Sequence, residues 1–118
     1  MSLLYILDAD HNAELCPNTQ EWRAWFENEP NRRVACDSVL LGSLTAWVST
    51  VFLGINQSSD SGPPVLFETM VCRYLAGQEE DAVWDKDVLR YCTWNEALAG
   101  HARRLNVLRL LATAPARG

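Results

Sequence analysis

The chain has 118 residues, enough to bury one hydrophobic core and too few for two, so residues 1–118 are expected to form a single domain. Hydrophobic residues make up 48% and charged residues 21%, the balance of a folded globular domain, which excludes disorder. Ten basic against fifteen acidic residues leave a net charge of −5, the wrong sign for direct nucleic-acid binding or adhesion to anionic lipid.

The N-terminus lacks a basic n-region and its apolar stretch stops at Asp8, so it reads as a strand and not as a signal peptide. The longest apolar run, residues 44–55, is broken by Thr45, Ser49, Thr50 and Gly54 and falls short of a membrane span. Cys16, Cys36, Cys72 and Cys92 form no C-x-x-C pair. They are expected as free thiols in a reducing compartment, three of them as small core residues on strands.

Residues 3–7 form an apolar strand closed by the turn-prone stretch from Asp8 to Asn12. After Pro17, Asn18 or Thr19 caps a helix whose Trp22, Trp25 and Phe26 share one face, and Glu29-Pro30-Asn31 ends it. Residues 34–41 and 44–53 read as strands joined at Gly42-Ser43, the second with Val48, Thr50 and Phe52 on one face and Trp47, Ser49 and Val51 on the other. The second is expected to be central. The polar segment at 55–64 leads to a strand at 65–72, predicted to pair with residues 44–53 as an antiparallel hairpin with a long loop.

Residues 77–87 are an acidic excursion before a short strand at 88–92. Thr93-Trp94-Asn95-Glu96 matches a capping box. Beyond it Trp94, Ala97, Leu98, His101, Leu105 and Leu108 recur at helical spacing to about Leu111. The predicted class is α+β, an antiparallel sheet of four to five strands with two helices on one face, the last C-terminal.

Three segments, VSTVFLG at 48–54, GPPVLFETMV at 62–71 and RYCTWNEALAGH at 90–101, together resemble a widespread family of small, uncharacterised bacteriophage proteins. That family runs from an STVFLGLDH-type strand through GPP-LFETMV to RYSTWEEA-x-x-GH. Upstream, the Trp-bearing helix and Arg32 to Ala35 extend the likeness over most of the chain. The resemblance implies a phage or prophage origin and a host bacterial cytoplasm. Where the family tends to carry Asp-His, this chain has Asn56-Gln57, which removes a titrating pair unless that pair only caps a loop.

Few residues suggest catalysis. Glu68 stands within an apolar strand, either as a buried acid/base group or paired with Arg73 or Arg90, the commoner case. His101, on the apolar helix face, reads as a core histidine hydrogen-bonded to backbone. Asp8, Asp10, His11 and Glu14 bring cation-binding groups together, but their spacing favours a solvated turn. No cofactor or metal motif is present.

The charge falls into blocks. Residues 1–31 hold six acids and one base, residues 79–96 six acids and two bases, and residues 97–118 four arginines and no acid. The leading expectation is a non-enzymatic phage protein that binds and inhibits or modulates a host protein, with an anti-CRISPR or other anti-defence inhibitor its sharpest form. Glu79, Glu80, Asp81, Asp85 and Asp87, with Trp84 as anchor, would meet a basic surface, such as that of a nucleic-acid-binding defence complex. Two alternatives stand beside it: a small enzyme or ligand-binding domain centred on Glu68 and His101, and a structural or regulatory component working as a homodimer or larger homo-oligomer through a sheet edge.

Overall fold

Two nine-residue strands make the frame: β3 (Arg33–Leu41) and β4 (Leu44–Phe52) pair antiparallel around Gly42-Ser43. Gly42 takes φ +65°, the left-handed conformation that a two-residue hairpin needs and that glycine adopts without strain. The computed structural model describes residues 3–59, 61–75, 82–83 and 88–113. β4 pairs in turn with β5 (Phe67–Leu75), from Leu44 opposite Leu75 to Phe52 opposite Phe67, the long-looped hairpin expected from the sequence.

The outer side of β5 is shared by β6 (Ala82–Val83) toward one end and β7 (Leu89–Tyr91) at the other, so the sheet is four strands wide and wholly antiparallel. β4 is central, as its pattern implied. Val65 and Leu66, expected within the strand, precede it, but their carbonyls accept from the amides of Gln57 (2.8 Å) and Leu53 (2.6 Å).

The long helix α3 (Trp94–Thr113) starts at the expected capping box: Thr93 Oγ1 accepts from the Glu96 amide and Glu96 Oε1 accepts from the Thr93 amide, both at 3.1 Å. Ala97, Gly100, His101, Leu105 and Leu108 turn inward. Leu98, expected on that face, is instead 41% exposed, because it lies at the margin of the buried stripe.

The N-terminal region is more ordered than its sequence suggested. β1 (Tyr5–Leu7) pairs with a second short strand, β2 (Ala13–Leu15), so the segment from Asp8 to Asn12 is a hairpin turn. Asp8 Oδ1 accepts the amides of Asp10 and Asn12, both at 2.9 Å. Asn18 caps α1 (Thr19–Glu27) by accepting from Gln20 and Glu21. Residues expected only to end that helix begin another, α2 (Glu29–Arg32), since proline is tolerated in a first turn, where its missing N–H costs nothing.

Of the α1 aromatics, Trp25 meets Phe52 edge-on at 5.6 Å, while Trp22 stacks on Phe26 at 4.7 Å. Trp22 donates to the Tyr5 carbonyl. Both rings of the stacked pair close over Gly54, whose φ is +72°.

The core divides along the sheet. At one end Val39, Ala46, Val48, Val71, Leu105 and Leu108 pack together; at the other lie Leu7, Phe52, Leu66, Phe67 and Ala97, ringed by Tyr5, Trp25, Val34, Tyr91 and Trp94. This second end carries the β1–β2 hairpin and α1. The arginines of α3 follow His101 toward the first end, along a molecule 57 Å in its longest dimension.

Candidate functional site

Between the two apolar clusters lies one layer of polar side chains. Directly opposite residues of paired strands share a face, so Thr50 and Thr69, which pair across β4 and β5, both point under α3. Their hydroxyl oxygens are 2.6 Å apart. His101 descends from α3 onto them, its Nδ1 2.7 Å from Thr50 Oγ1 and its Nε2 2.7 Å from Asp37 Oδ2 on β3. Thr50 is 0%, Thr69 2% and His101 4% exposed, whereas the Asp37 side chain is 43% exposed at the rim.

With Asp37 as a carboxylate, an acceptor only, the proton of a neutral imidazole sits on Nε2. Nδ1 then accepts from the Thr50 hydroxyl, whose oxygen accepts from Thr69. Every member finds a partner, which is the condition for a buried polar group to be tolerated. The Asp–His–Thr order is that of a nucleophile triad. Thr50, however, is sealed between Val48 and Phe52 and offers no surface to a substrate. The layer therefore reads as a structural register device, and His101 is bonded to side chains, not to backbone as expected.

Glu68 stands on the opposite face of the sheet from Thr69, its neighbour on β5, and so is not brought together with His101. It bonds Arg90 across β5 and β7 at 3.1 Å, the paired state expected for it. Asn56 holds its loop: Oδ1 accepts from Ser58 (2.9 Å) and Val65 (2.8 Å), and Gln57 donates to the Ile55 carbonyl. An aspartate at 56 would accept the same two amides.

At the hairpin turn His11, at φ +63°, stacks on Trp94 with centroids 3.8 Å apart and planes 6° from parallel. The pair stands between a cavity of about 230 Å³, which reaches Asp8, Trp25, Asn31 and Arg33, and one of about 120 Å³ beside Asp10, Cys92 and Thr93. Asp8 is engaged within its turn, Asn31 with the Trp25 carbonyl and Arg33 with Glu29. Asp8, Asp10 and His11 lie in the turn and Glu14 on β2, with Asp10, His11 and Glu14 exposed, and no group of three metal-ligating side chains occurs among the described residues.

Cys16 is buried, Cys36 exposed, and Cys72 and Cys92 intermediate, so the strand cysteines are not the core residues expected. The expected contact residues Glu79, Glu80, Asp81, Trp84, Asp85 and Asp87 lie outside the described residues. Asp37 escaped the sequence reading, although a signal existed: it sits at the inward parity of an otherwise apolar strand, as Thr50 and Thr69 do in theirs. No helix is long and apolar enough to cross a membrane among the described residues. Comparison with known proteins finds no matching family model, curated protein or solved structure.

Proposed function

We propose that the chain is a phage-encoded, non-enzymatic protein that binds and inhibits or modulates a host protein through acidic surface. The observation that supports this most is the placement of the N-terminal acids. Asp10 and Glu14 on the hairpin, Glu21 and Glu27 on α1 and Glu29 on α2 are all exposed, on elements gathered at one end of the molecule. An acidic end of this kind complements a basic, nucleic-acid-reading surface of a host complex and repels nucleic acid itself. The excursion at 79–87 adds five further acids in sequence.

The triad-like layer favours binding over catalysis, because both His101 ring nitrogens are committed and its hydroxyl partner is sealed. Capture of a host protein from bacterial lysate, compared across two charge-reversal sets, is the test. One set replaces Glu14, Glu21 and Glu27 with lysine, the other Glu79, Glu80 and Asp81. Loss of a specific captured protein in either set, with the fold intact, supports the reading; capture unchanged in both rejects an acidic contact surface.

A further inference from the structure

The turn that carries His11 is closed by its backbone: the Asp8 amide donates to the Asn12 carbonyl at 2.9 Å and the His11 amide to the Asp8 carbonyl at 3.0 Å. The His11 ring adds only its stack on Trp94, since neither ring nitrogen has a hydrogen-bond partner among the described residues. Rotation about its side-chain bonds therefore lifts an exposed imidazole off Trp94 and leaves the turn closed. What it uncovers is a flat indole face with a cavity on either side.

Core phenylalanines brace the two indoles here. Trp94 meets Phe67 edge-on at 6.3 Å, as Trp25 meets Phe52. Both indoles line the larger cavity, whose volume of about 230 Å³ is below the roughly 300–1,000 Å³ that a drug-sized ligand fills and suits a single side chain. Two polar side chains of its wall have acceptors to spare. Asp8 commits Oδ1 to its turn and keeps Oδ2, while Asn31 donates from Nδ2 to the Trp25 carbonyl and keeps Oδ1. Arg33, also in the wall, is paired with Glu29, and Arg32 lies outside it, over the Phe26 ring. With Arg33 so compensated, the carboxylates of Asp8 and Asp10 are the charges left at the two cavities.

A planar cation that stacks on indole and donates in its own plane meets all of these features, and among side chains that is the guanidinium of arginine. We propose that the Trp94 face under His11 is a pocket for an arginine of the partner protein. The imidazole swings out, the guanidinium takes its place on the indole, and its N–H groups reach Asp8 Oδ2 and Asn31 Oδ1. In the free protein His11 is the pocket's own occupant, a flat ring 3.8 Å from the indole. Lysine, a compact charge without a plane, satisfies the carboxylate alone. That the arginine belongs to a protein rests on the host-protein reading, to which the pocket adds an anchor of the kind that dominates interfaces.

Titration of the full chain with Nα-acetylarginine N-methylamide to millimolar concentration, followed by NMR, needs no host protein and so succeeds or fails apart from that reading. The Trp94 ring current displaces the His11 ring-proton signals in the free protein. The arginine analogue should return them toward ordinary positions, and the corresponding lysine analogue should not. His11→Gly, which suits the φ of +63°, should bind the arginine analogue more tightly because the internal competitor is gone. Asp8→Asn keeps an oxygen for the turn amides and should weaken binding about tenfold. The pocket is overturned if the arginine analogue shifts neither His11 nor Trp94 in the wild type and does not bind His11→Gly, if the lysine analogue binds as well, or if adenosine, a flat ring without charge, takes the place instead. Host-protein capture that persists while the arginine analogue fails to bind rejects the pocket and keeps the acidic surface; the reverse keeps the pocket and rejects that surface.

Discussion

His101 on α3 and Asp37 on β3 meet at 2.7 Å, joining the 20-residue helix to the sheet's outer strand. Their bond is the solvent-side end of a polar chain that continues inward to Thr50 and Thr69. Its position between two apolar clusters makes the register of three strands and one helix depend on four side chains. A slip of β4 by one residue would turn Thr50 out and leave His101 Nδ1 buried without a partner.

Because Asp37 is half exposed, water can replace it more cheaply than anything can replace Thr50. Asp37→Asn keeps an acceptor for Nε2 and should cost under about 1 kcal/mol, and Asp37→Ala about 1–2 kcal/mol. Urea unfolding midpoints check both, and Asp37→Ala equal to wild type would show that the rim bond holds nothing.

Thr50 has two partners and Thr69 one among the four members of the chain, and their effects should differ accordingly. Thr50→Val, nearly isosteric, strands both His101 Nδ1 and the Thr69 hydroxyl and should cost about 2–4 kcal/mol. Thr69→Val leaves the Thr50–His101 bond intact and should cost about 1 kcal/mol. The double variant should be more stable than Thr50→Val alone, since it removes one of the stranded groups. Strictly additive losses in denaturant titrations would contradict the chain.

Much of this was legible beforehand, for reasons that differ by element. The β3–β4–β5 frame was readable because Gly42-Ser43 and the Gly-Pro-Pro loop punctuate strands whose inward residues alternate, and α3 because its cap and its stripe agree. β2 was not readable: Ala13, Glu14 and Leu15 are all exposed, and what holds them is backbone pairing to β1, which leaves no hydrophobic period. The polar layer was half legible. His101 stood out on an apolar face and Thr50 shared one with Val48 and Phe52, but their partnership spans 51 residues and follows only once β4 and α3 are superimposed.

The loop before β5 offers a sharper check on a single position. Asn56 Oδ1 holds the amides of Ser58 and Val65, a task needing two acceptor lone pairs and no proton. Asn56→Asp should therefore unfold within about 0.5 kcal/mol of wild type, and Asn56→Ala should cost about 1–2 kcal/mol. Thermal unfolding of the three proteins measures this, and an aspartate as damaging as alanine would assign Asn56 a role beyond the loop.

Glu68 and Arg90 pair on the sheet face away from α3, the Arg90 side chain about half exposed and that of Glu68 only 14% exposed. Solvent reaches the pair through Arg90 and screens it, and glutamine keeps an oxygen that accepts from Arg90, so Glu68→Gln should cost about 1 kcal/mol or less. Unchanged host-protein capture by this variant is also expected, because the proposed contact surface lies in other elements. A complete loss of biological activity with the fold intact would return Glu68 to the centre of an enzymatic reading.

Tyr91 and Gly100 give the last prediction, in which helix propensity and packing oppose each other. Alanine is favoured over glycine inside a helix by about 1 kcal/mol, yet a Cβ at 100 would overlap Tyr91 Oη, Cζ and Cε1 at once. The ring belongs to the apolar cluster around Phe67 and Ala97 and cannot swing away without opening that end of the core. Gly100→Ala should thus destabilise by about 1–3 kcal/mol despite its better propensity. Tyr91→Phe should do the reverse. Its hydroxyl is buried with no hydrogen-bond partner among the described residues, so deleting it removes a desolvation cost and should raise stability by about 1 kcal/mol. Adding Tyr91→Leu to Gly100→Ala should recover part of the alanine's loss, because a shorter side chain vacates the space the new Cβ needs. Chemical denaturation of the three variants gives the signs directly, and a stabilising Gly100→Ala would mean that propensity outweighs the contact.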